Sequence, residues 1–335
     1  MGDPCGIGPE IVVKALADQE LRSQARFAVY GFSETFAYAA DLAEVDFPFI
    51  RDHHESQKPF APGVTMLDYD ELPTPAAGEH EPTRYGGQAS LMFVEDAMAA
   101  ALRGTIDAMV TAPISKRAWK LADQPFPGHT ELLAKRSHVR NYAMMFVAPQ
   151  LKVALATIHE PLLDIRNHFT IGRVFNPIDL ADRGLRELFG IPRPRIAVCG
   201  INPHAGEAGQ FGDEEKRIIS PAILMASEAG IDAQGPFPAD TVYLKALAGD
   251  FDCVVAMYHD QGLIPVKLLA WRQAVNLTLG LPIIRTSPDH GTAFDIAGQN
   301  KADTGSMKAA IQLAIDLARR RLAQVAAAAR PRREN

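Results

Sequence analysis

The sequence predicts an α/β protein of two domains, with its strands in a mostly parallel and mostly covered sheet. Three observations lead there. Short apolar runs rich in β-branched residues alternate with stretches of helical periodicity. The 335 residues exceed what one hydrophobic core usually serves. Apolar residues make up 47% and charged residues 22%, proportions that fit a globular chain and exclude disordered, collagenous and coiled-coil architectures.

The elements follow in order. GPEIVVKALA predicts a helix over 9–17, with Pro9 in the first turn, where a missing N–H costs nothing. A strand over 27–30 and a helix over 33–42 come next. Residues 52–85, rich in Pro, His and acidic side chains, show little periodicity and read as a surface excursion with one short strand near Val64. A helix over 88–102 leads to a strand over 108–111. Strands over 144–147 and 153–157 precede a helix over 176–189 and a strand over 196–199. Helices over 214–229 and 241–247 then give way to strands over 253–257 and 275–277. A final helix over 306–329 runs into the basic tail RPRREN, which reads as solvated.

Composition narrows the function classes. A net charge of -6, from 34 basic and 40 acidic residues, offers no general footprint for nucleic acid, so the expected partner is small. Cys5, Cys199 and Cys253 are odd in number, widely spaced and in no CxxC pair, which argues for reduced, buried thiols rather than a disulfide framework or a cysteine zinc site. No apolar run approaches the roughly 20 residues needed to cross a bilayer, and MGDPCGIGPE lacks the features of a signal peptide. A cytoplasmic location is expected.

Three of the ten histidines share a setting: His159 in VALATIHE, His204 in IAVCGINPHAGE and His259 in CVVAMYHDQG. Each follows an apolar strand within a few residues, and open α/β sheets place their ligands beyond the carboxyl ends of strands. One such histidine is usually a satisfied polar residue. Three suggest a metal site with a coordination position left open for substrate, which is the arrangement of a catalytic ion. Glu160 and Asp260 follow two of these histidines directly, but adjacent residues on an extended segment point opposite ways. Asp260 is therefore as readily a solvated carboxylate as a partner to the site.

Other segments have two readings each. GDPCGIGPE, with Gly2, Gly6 and Gly8 before a helix, suits an anion or a packed turn. In FPGHTELLA, Thr130 is suited to cap a helix, while His129 adds little to capping and is free to bond a carboxylate or phosphate. Lys267, Asn276 and Arg285 lie among apolar residues, where the cations need partners from the protein or from a bound anion.

SPDHGTAFDIAG closely resembles the cofactor loop of the isopropylmalate and isocitrate dehydrogenases. By that resemblance His290, Gly291 and Asp295 bind the dinucleotide. Asp295 would accept from the adenosine ribose hydroxyls and repel a 2′-phosphate, so NAD is expected rather than NADP.

GDPCGIGPE, TAPISK, FPGHTE, LATIHEPL, CGINPHAGE, PADT, MYHDQG and VNLTLGLPIIRTSPDHGTAFDIAG together resemble the 4-hydroxythreonine-4-phosphate dehydrogenase family of pyridoxal phosphate biosynthesis. The resemblance runs in order from Gly2 to about Met307. It implies an isopropylmalate dehydrogenase-like fold with an inter-domain cleft: a cofactor domain from 1–125 plus 278–335, and a metal, substrate and dimerisation domain from 126–277. It implies one divalent ion, zinc, magnesium or cobalt, on His159, His204 and His259. Substrate contacts would come from His129, Thr130, Lys267, Asn276 and Arg285, and Asp240, Asp260 and Lys267 are candidates for proton transfer. A homodimer with the site at its subunit interface is expected. The implied reaction is NAD-linked oxidation and decarboxylation of 4-phosphohydroxy-L-threonine to 3-amino-2-oxopropyl phosphate. The chain departs from the family pattern in AWRQAVN, in DIAGQNKAD, at Cys5 and in having no apolar strand before GDP. Three alternatives stay open: a dehydrogenase of a phosphorylated sugar acid such as 4-phosphoerythronate or D-threonate 4-phosphate, one of an aromatic cis-dihydrodiol carboxylate, and, in another class, a metal-dependent phosphate-ester hydrolase.

Overall fold

The computed structural model describes residues 1–76 and 78–328. The expected basic tail, RPRREN, lies outside them. The strands are β1 (Phe27–Gly31), β2 (Ile50–His53), β3 (Val64–Asp68), β4 (Ala108–Val110), β5 (Ala143–Ala148), β6 (Leu151–Leu155), β7 (Arg195–Cys199), β8 (Asp232–Phe237), β9 (Cys253–Ala256), β10 (Val275–Leu279) and β11 (Ile284–Pro288). Helices connect most of them, which gives the expected α/β class. The chain divides into two compact units, one from Met1–His138 and Pro282–Asp316, the other from Val139–Leu281 and the residues after it from Leu317. The first unit reaches past 125 because the helix His129–Arg136 buries Leu132 and Leu133 completely within it.

In the first unit, β3 lies between β1 and β2, parallel to both, and β4 pairs in parallel with β11. Its core gathers Ile11, Val13 and Leu16 from the helix Gly8–Ala17 with Phe36, Met66, Met307 and Ile311. In the second unit the order is β10, β5, β6, β9, β7, β8, with antiparallel pairing from β10 to β6 and parallel pairing from β6 to β8. Its strands carry near-continuous apolar runs such as CVVA in β9, fully buried on both faces, as parallel strands between helical layers must be.

Three strands escape the sequence pattern. β2 is an exposed edge strand, IRDH, with no alternation; β8 contains a Gly-Pro pair, tolerated at a sheet edge; β11 carries a buried arginine. The helix His259–Ala270 is also unannounced, since Gly262 and Pro265 lie inside it. Gly262 is there because the helix presses on β6: a Cβ at that position would sit 2.6 Å from Leu155 and 3.0 Å from Val153. Thr130 is not the cap expected of it. Gly128 caps that helix, and Thr130 is its second residue, buried in the first turn.

All three cysteines are buried and free. Burial pushes each thiol up to about 12. No helix among the described residues is long and apolar enough to cross a membrane.

Gly87, in the helix Arg84–Leu102, faces the helix Lys116–Leu121 so closely that an added Cβ would collide with the Ala118 carbonyl. Gly87→Ala should therefore lower stability by about 1–3 kcal/mol. Gly172 is the second residue of the helix Ile171–Glu187 with open space around it, so Gly172→Ala should be neutral or raise stability by up to about 1 kcal/mol. Urea midpoints of the two variants check this pair of opposite signs.

Asp3 is fully buried, and burial raises its carboxyl to about 6 although Oδ1 accepts the Cys5 N–H at 3.0 Å. A folded pKa above the unfolded 3.8 means that the folded state holds the proton more tightly. Stability from this residue is therefore present below about pH 4 and lost as pH rises to about 6. Relative to wild type, Asp3→Asn should gain on the order of 3 kcal/mol between pH 4 and pH 7. Denaturation curves across that range, showing a difference independent of pH, would refute it.

Candidate active site

The parallel run in the second unit brings the candidate ligands to one sheet edge. β6, β9 and β7 are consecutive neighbours with their carboxyl ends on the same side, Leu155 opposite Ala256 and Val198 opposite Val255. His159 follows the end of β6, His259 the end of β9 and His204 the end of β7. Asp240, exposed in the first turn of the helix Ala239–Leu247, follows the end of the next neighbour, β8. The rings of His159 and His259 approach to 5.9 Å between centroids. The His204 ring lies against Phe211 at 6.1 Å, and the ligand atoms of the three histidines do not all gather within 4.8 Å of one another.

His259 opens a helix rather than continuing an extended segment, and this corrects the geometry expected for Asp260. On the helical turn the two side chains meet, with His259 Nδ1 2.7 Å from Asp260 Oδ1. A carboxylate accepts, so this contact favours a proton on Nδ1, the tautomer in which Nε2 is the atom offered to a metal. Glu160, by contrast, is held by Arg173 at 2.7 and 2.9 Å. Lys267, on the same helix as His259, places its ammonium 5.3 Å from the centre of the Trp271 ring.

Two residues absent from the sequence reading brace these loops. Gln261 accepts the Met257 N–H at 2.7 Å and donates to the Gly200 carbonyl at 2.8 Å, tying the end of β9 to the end of β7. Glu215 is buried, and its Oε1 accepts the N–H groups of Ile201 and Asn202, both at 2.8 Å. These bonds hold the start of the His204 loop. From His204 to Ala208 every φ is positive, 52, 52, 82, 41 and 55°. Four of the five residues have a Cβ, so the turn stores backbone strain on the order of 1–2 kcal/mol per residue. Strain of this kind persists only where neighbours over-determine it.

The first unit contributes a second polar cluster. Arg285, buried in β11, donates to Thr111 Oγ1 at 3.1 and 2.7 Å. Burial pulls it down to about 10, so it stays charged at neutral pH. His129 stands edge-on to the buried Trp119 at 5.7 Å, and its Nε2 is shut off from solvent without a hydrogen-bond partner. Burial, and then the Arg285 charge, hold its imidazole well below the ordinary histidine range and therefore neutral. In the second unit Asn276 donates to Met144 Sδ at 3.8 Å, while its buried Oδ1 has no partner. A buried polar atom left unpaired costs about 1–3 kcal/mol, which a bound polar ligand can return.

The segment expected to hold a dinucleotide is anchored from behind. The Ile7 N–H donates to the Thr292 carbonyl at 2.9 Å, and Glu10 Oε1 accepts the Ala302 N–H at 2.8 Å. His290, Gly291 and Asp295 stand exposed on this loop, and an added Cβ on Gly291 would meet nothing within 4 Å. The outer side of the loop is thus open to a ligand's approach.

Comparison with known proteins finds relatives over nearly the whole chain. Residues 23–314 match the family model described as pyridoxal phosphate biosynthetic protein PdxA. The chain is 47% identical to a 4-hydroxythreonine-4-phosphate dehydrogenase of Desulfosudis oleivorans, covering 95% of this chain and 94% of the relative. It is 46% identical to a D-threonate 4-phosphate dehydrogenase of Salmonella typhimurium, covering 95% and 97%. The crystal structure of a 4-hydroxythreonine-4-phosphate dehydrogenase from Klebsiella pneumoniae superposes with a TM-score of 0.85 at 42% identity, covering 95% and 96%. With its mostly parallel α/β fold, its strand-end histidines and dehydrogenases as relatives over nearly its whole length, the chain belongs to the PdxA family of oxidoreductases.

Proposed function

We propose that the chain is a metal-dependent, NAD-linked dehydrogenase that oxidises 4-phosphohydroxy-L-threonine at its secondary hydroxyl and releases CO2, giving 3-amino-2-oxopropyl phosphate. The observation that carries this reading is the delivery of His159, His259 and His204 to one sheet edge by adjacent parallel strands in a chain whose relatives are dehydrogenases. Three imidazoles suit zinc or cobalt, with magnesium a harder-ligand option. A divalent ion held there would supply Lewis acidity toward the substrate hydroxyl and toward the charge left by decarboxylation. His290, Gly291 and Asp295 would hold NAD, which would supply the hydride acceptor.

The chain's own residues do the rest. Arg285, charged and buried, and Lys267 would bind the phosphate and carboxylate, and Thr130 and the unpaired atoms of His129 and Asn276 would bond the remaining oxygens. Asp260 is engaged with His259 Nδ1 and would orient that ring. Asp240 would then take the hydroxyl proton on a carboxylate oxygen, and Lys267 Nζ would return one to the carbon that loses CO2. Ile264, Leu268 and Trp271, exposed at i, i+4 and i+7 along one helical stripe, would bury against a second copy in a homodimer.

D-threonate 4-phosphate is the second reading, favoured by the 46% identity to a dehydrogenase of that substrate. It shares the phosphate, carboxylate and secondary hydroxyl and differs only in the group beside the hydroxyl. A panel of both substrates with 4-phosphoerythronate, followed as NAD reduction with a divalent ion present, decides among them. The highest kcat/KM on 4-phosphohydroxy-L-threonine is expected. Phosphate release without dinucleotide would instead favour the hydrolase reading. Removing a group that orients a ligand loop typically costs 10–100-fold in metal affinity, so Glu215→Ala should weaken metal binding by roughly that factor while His204→Ala abolishes turnover. Unchanged turnover in metal-stripped His204→Ala would refute the metal role. Leu268→Glu should convert a dimer to a monomer in sedimentation velocity, and a monomeric parent would overturn the dimer.

A further inference from the structure

Residues 52–85 carry a second cluster of metal-ligating side chains within the first unit. His53 ends β2 and His54 follows it; Glu71 lies just beyond β3; Asp96 sits on the helix Arg84–Leu102. One ligand atom from each of His53, His54 and Glu71 falls within 4.8 Å of the other two, the only such trio among the described residues. His54 Nε2 is 2.9 Å from one Glu71 oxygen, and His53 Nε2 is 3.6 Å from the other. Ligands sharing one ion at about 2.0–2.2 Å stand roughly 3–3.5 Å apart, and the two histidine–carboxylate separations are of that order.

The cluster is built as well as close. His54 is largely buried, its ring stacked on Tyr69 at 4.0 Å and 15°. Tyr69 in turn packs on Phe93 at 4.7 Å, and Phe93 on Phe32 at 5.3 Å, so the imidazole rests on an aromatic pillar rooted in the core. Asp96 Oδ2 lies 3.4 Å from His54 Nδ1 and is fixed by the Tyr69 hydroxyl, which donates to it at 2.7 Å. With the ring proton on Nδ1, facing Asp96, Nε2 would turn its lone pair toward an ion placed between it and Glu71, which now stands 2.9 Å away. Asp70 is drawn off by Arg51 at 2.9 Å, although His53 Nε2 passes 3.9 Å from it. Coordination through His53 Nε2 moves that ring's proton to Nδ1 and gives up one long hydrogen bond, 3.3 Å from the Glu55 N–H.

We propose that His53, His54 and Glu71, with Asp96 orienting His54, form a binding site for a transition ion of the zinc or nickel class, separate from the strand-end histidines. Two imidazoles and one carboxylate select such ions over magnesium and calcium. The ion would fasten the end of β2 to the turn after β3 and close the excursion between them.

The test is zinc stoichiometry on the full chain after equilibrium dialysis from metal-free protein. His53→Gln/His54→Gln should bind one zinc fewer than the parent, while His204→Ala should keep that zinc. In the His204→Ala background zinc should raise the thermal midpoint, and adding His53→Gln should remove the rise; magnesium should produce none. His53 is half-exposed, so His53→Gln alone should preserve the far-ultraviolet spectrum and still weaken this site at least tenfold, which separates loss of a ligand from loss of the fold. Equal zinc content in the parent and the double variant, or a zinc-induced midpoint rise that survives His53→Gln, would overturn the proposal.

Discussion

Parallel pairing in the second unit is the constraint on which the candidate site rests. Two neighbouring parallel strands cannot be joined by a tight turn; the chain must leave one strand, cross over a face of the sheet and return. Every strand in the run β6, β9, β7, β8 therefore ends on the same edge, and whatever follows each end is forced into company with the others. His159, His259, His204 and Asp240 come from positions spread over 101 residues, yet the hydrogen-bond ladder gathers them. The apolar runs that make the ladder possible have no chemistry of their own. Their contribution is to bury both faces and fix the register.

A second device recurs where loops leave that scaffold. Carboxylates and one amide, buried or half-buried, accept backbone N–H groups that the loops expose. Glu215 takes Ile201 and Asn202, Gln261 takes Met257, Glu10 takes Ala302, Asp68 takes Ser33 and Asp252 takes Arg195. A loop that has lost its ladder partners must satisfy its donors somewhere, and a side-chain acceptor rooted in the core does this without adding another strand. The same bonds decide how firmly a functional loop is held. The left-handed turn at His204 is braced at its start by Glu215 and Asn202, and the loop that carries His290 and Asp295 is pinned by Glu10 and Ile7.

Much of this was legible in the sequence because its signals are local. A histidine a few residues beyond a β-branched run is visible as such, and so is a helix announced by an early proline. The bracing residues were not. Glu215 sits in GDEEKR and reads as a solvated charge, because nothing near it in sequence reveals that it turns inward to Ile201 and Asn202. Asp260 differs from its expected geometry for a related reason: the segment expected to be extended after the 253–257 strand is a helix start, which brings neighbouring side chains together rather than apart. β2 was missed because an edge strand with both faces exposed needs no apolar alternation, and with it went the company that His53 and His54 keep.

The three cysteines gain a practical meaning from their burial. With each thiol pushed up to about 12, the reactive thiolate is a negligible fraction of the population at neutral pH. The native chain is thus effectively silent to maleimides and other thiol probes. A single cysteine placed on its surface becomes a unique attachment point for a fluorophore or spin label, with no need to rebuild a cysteine-free background first.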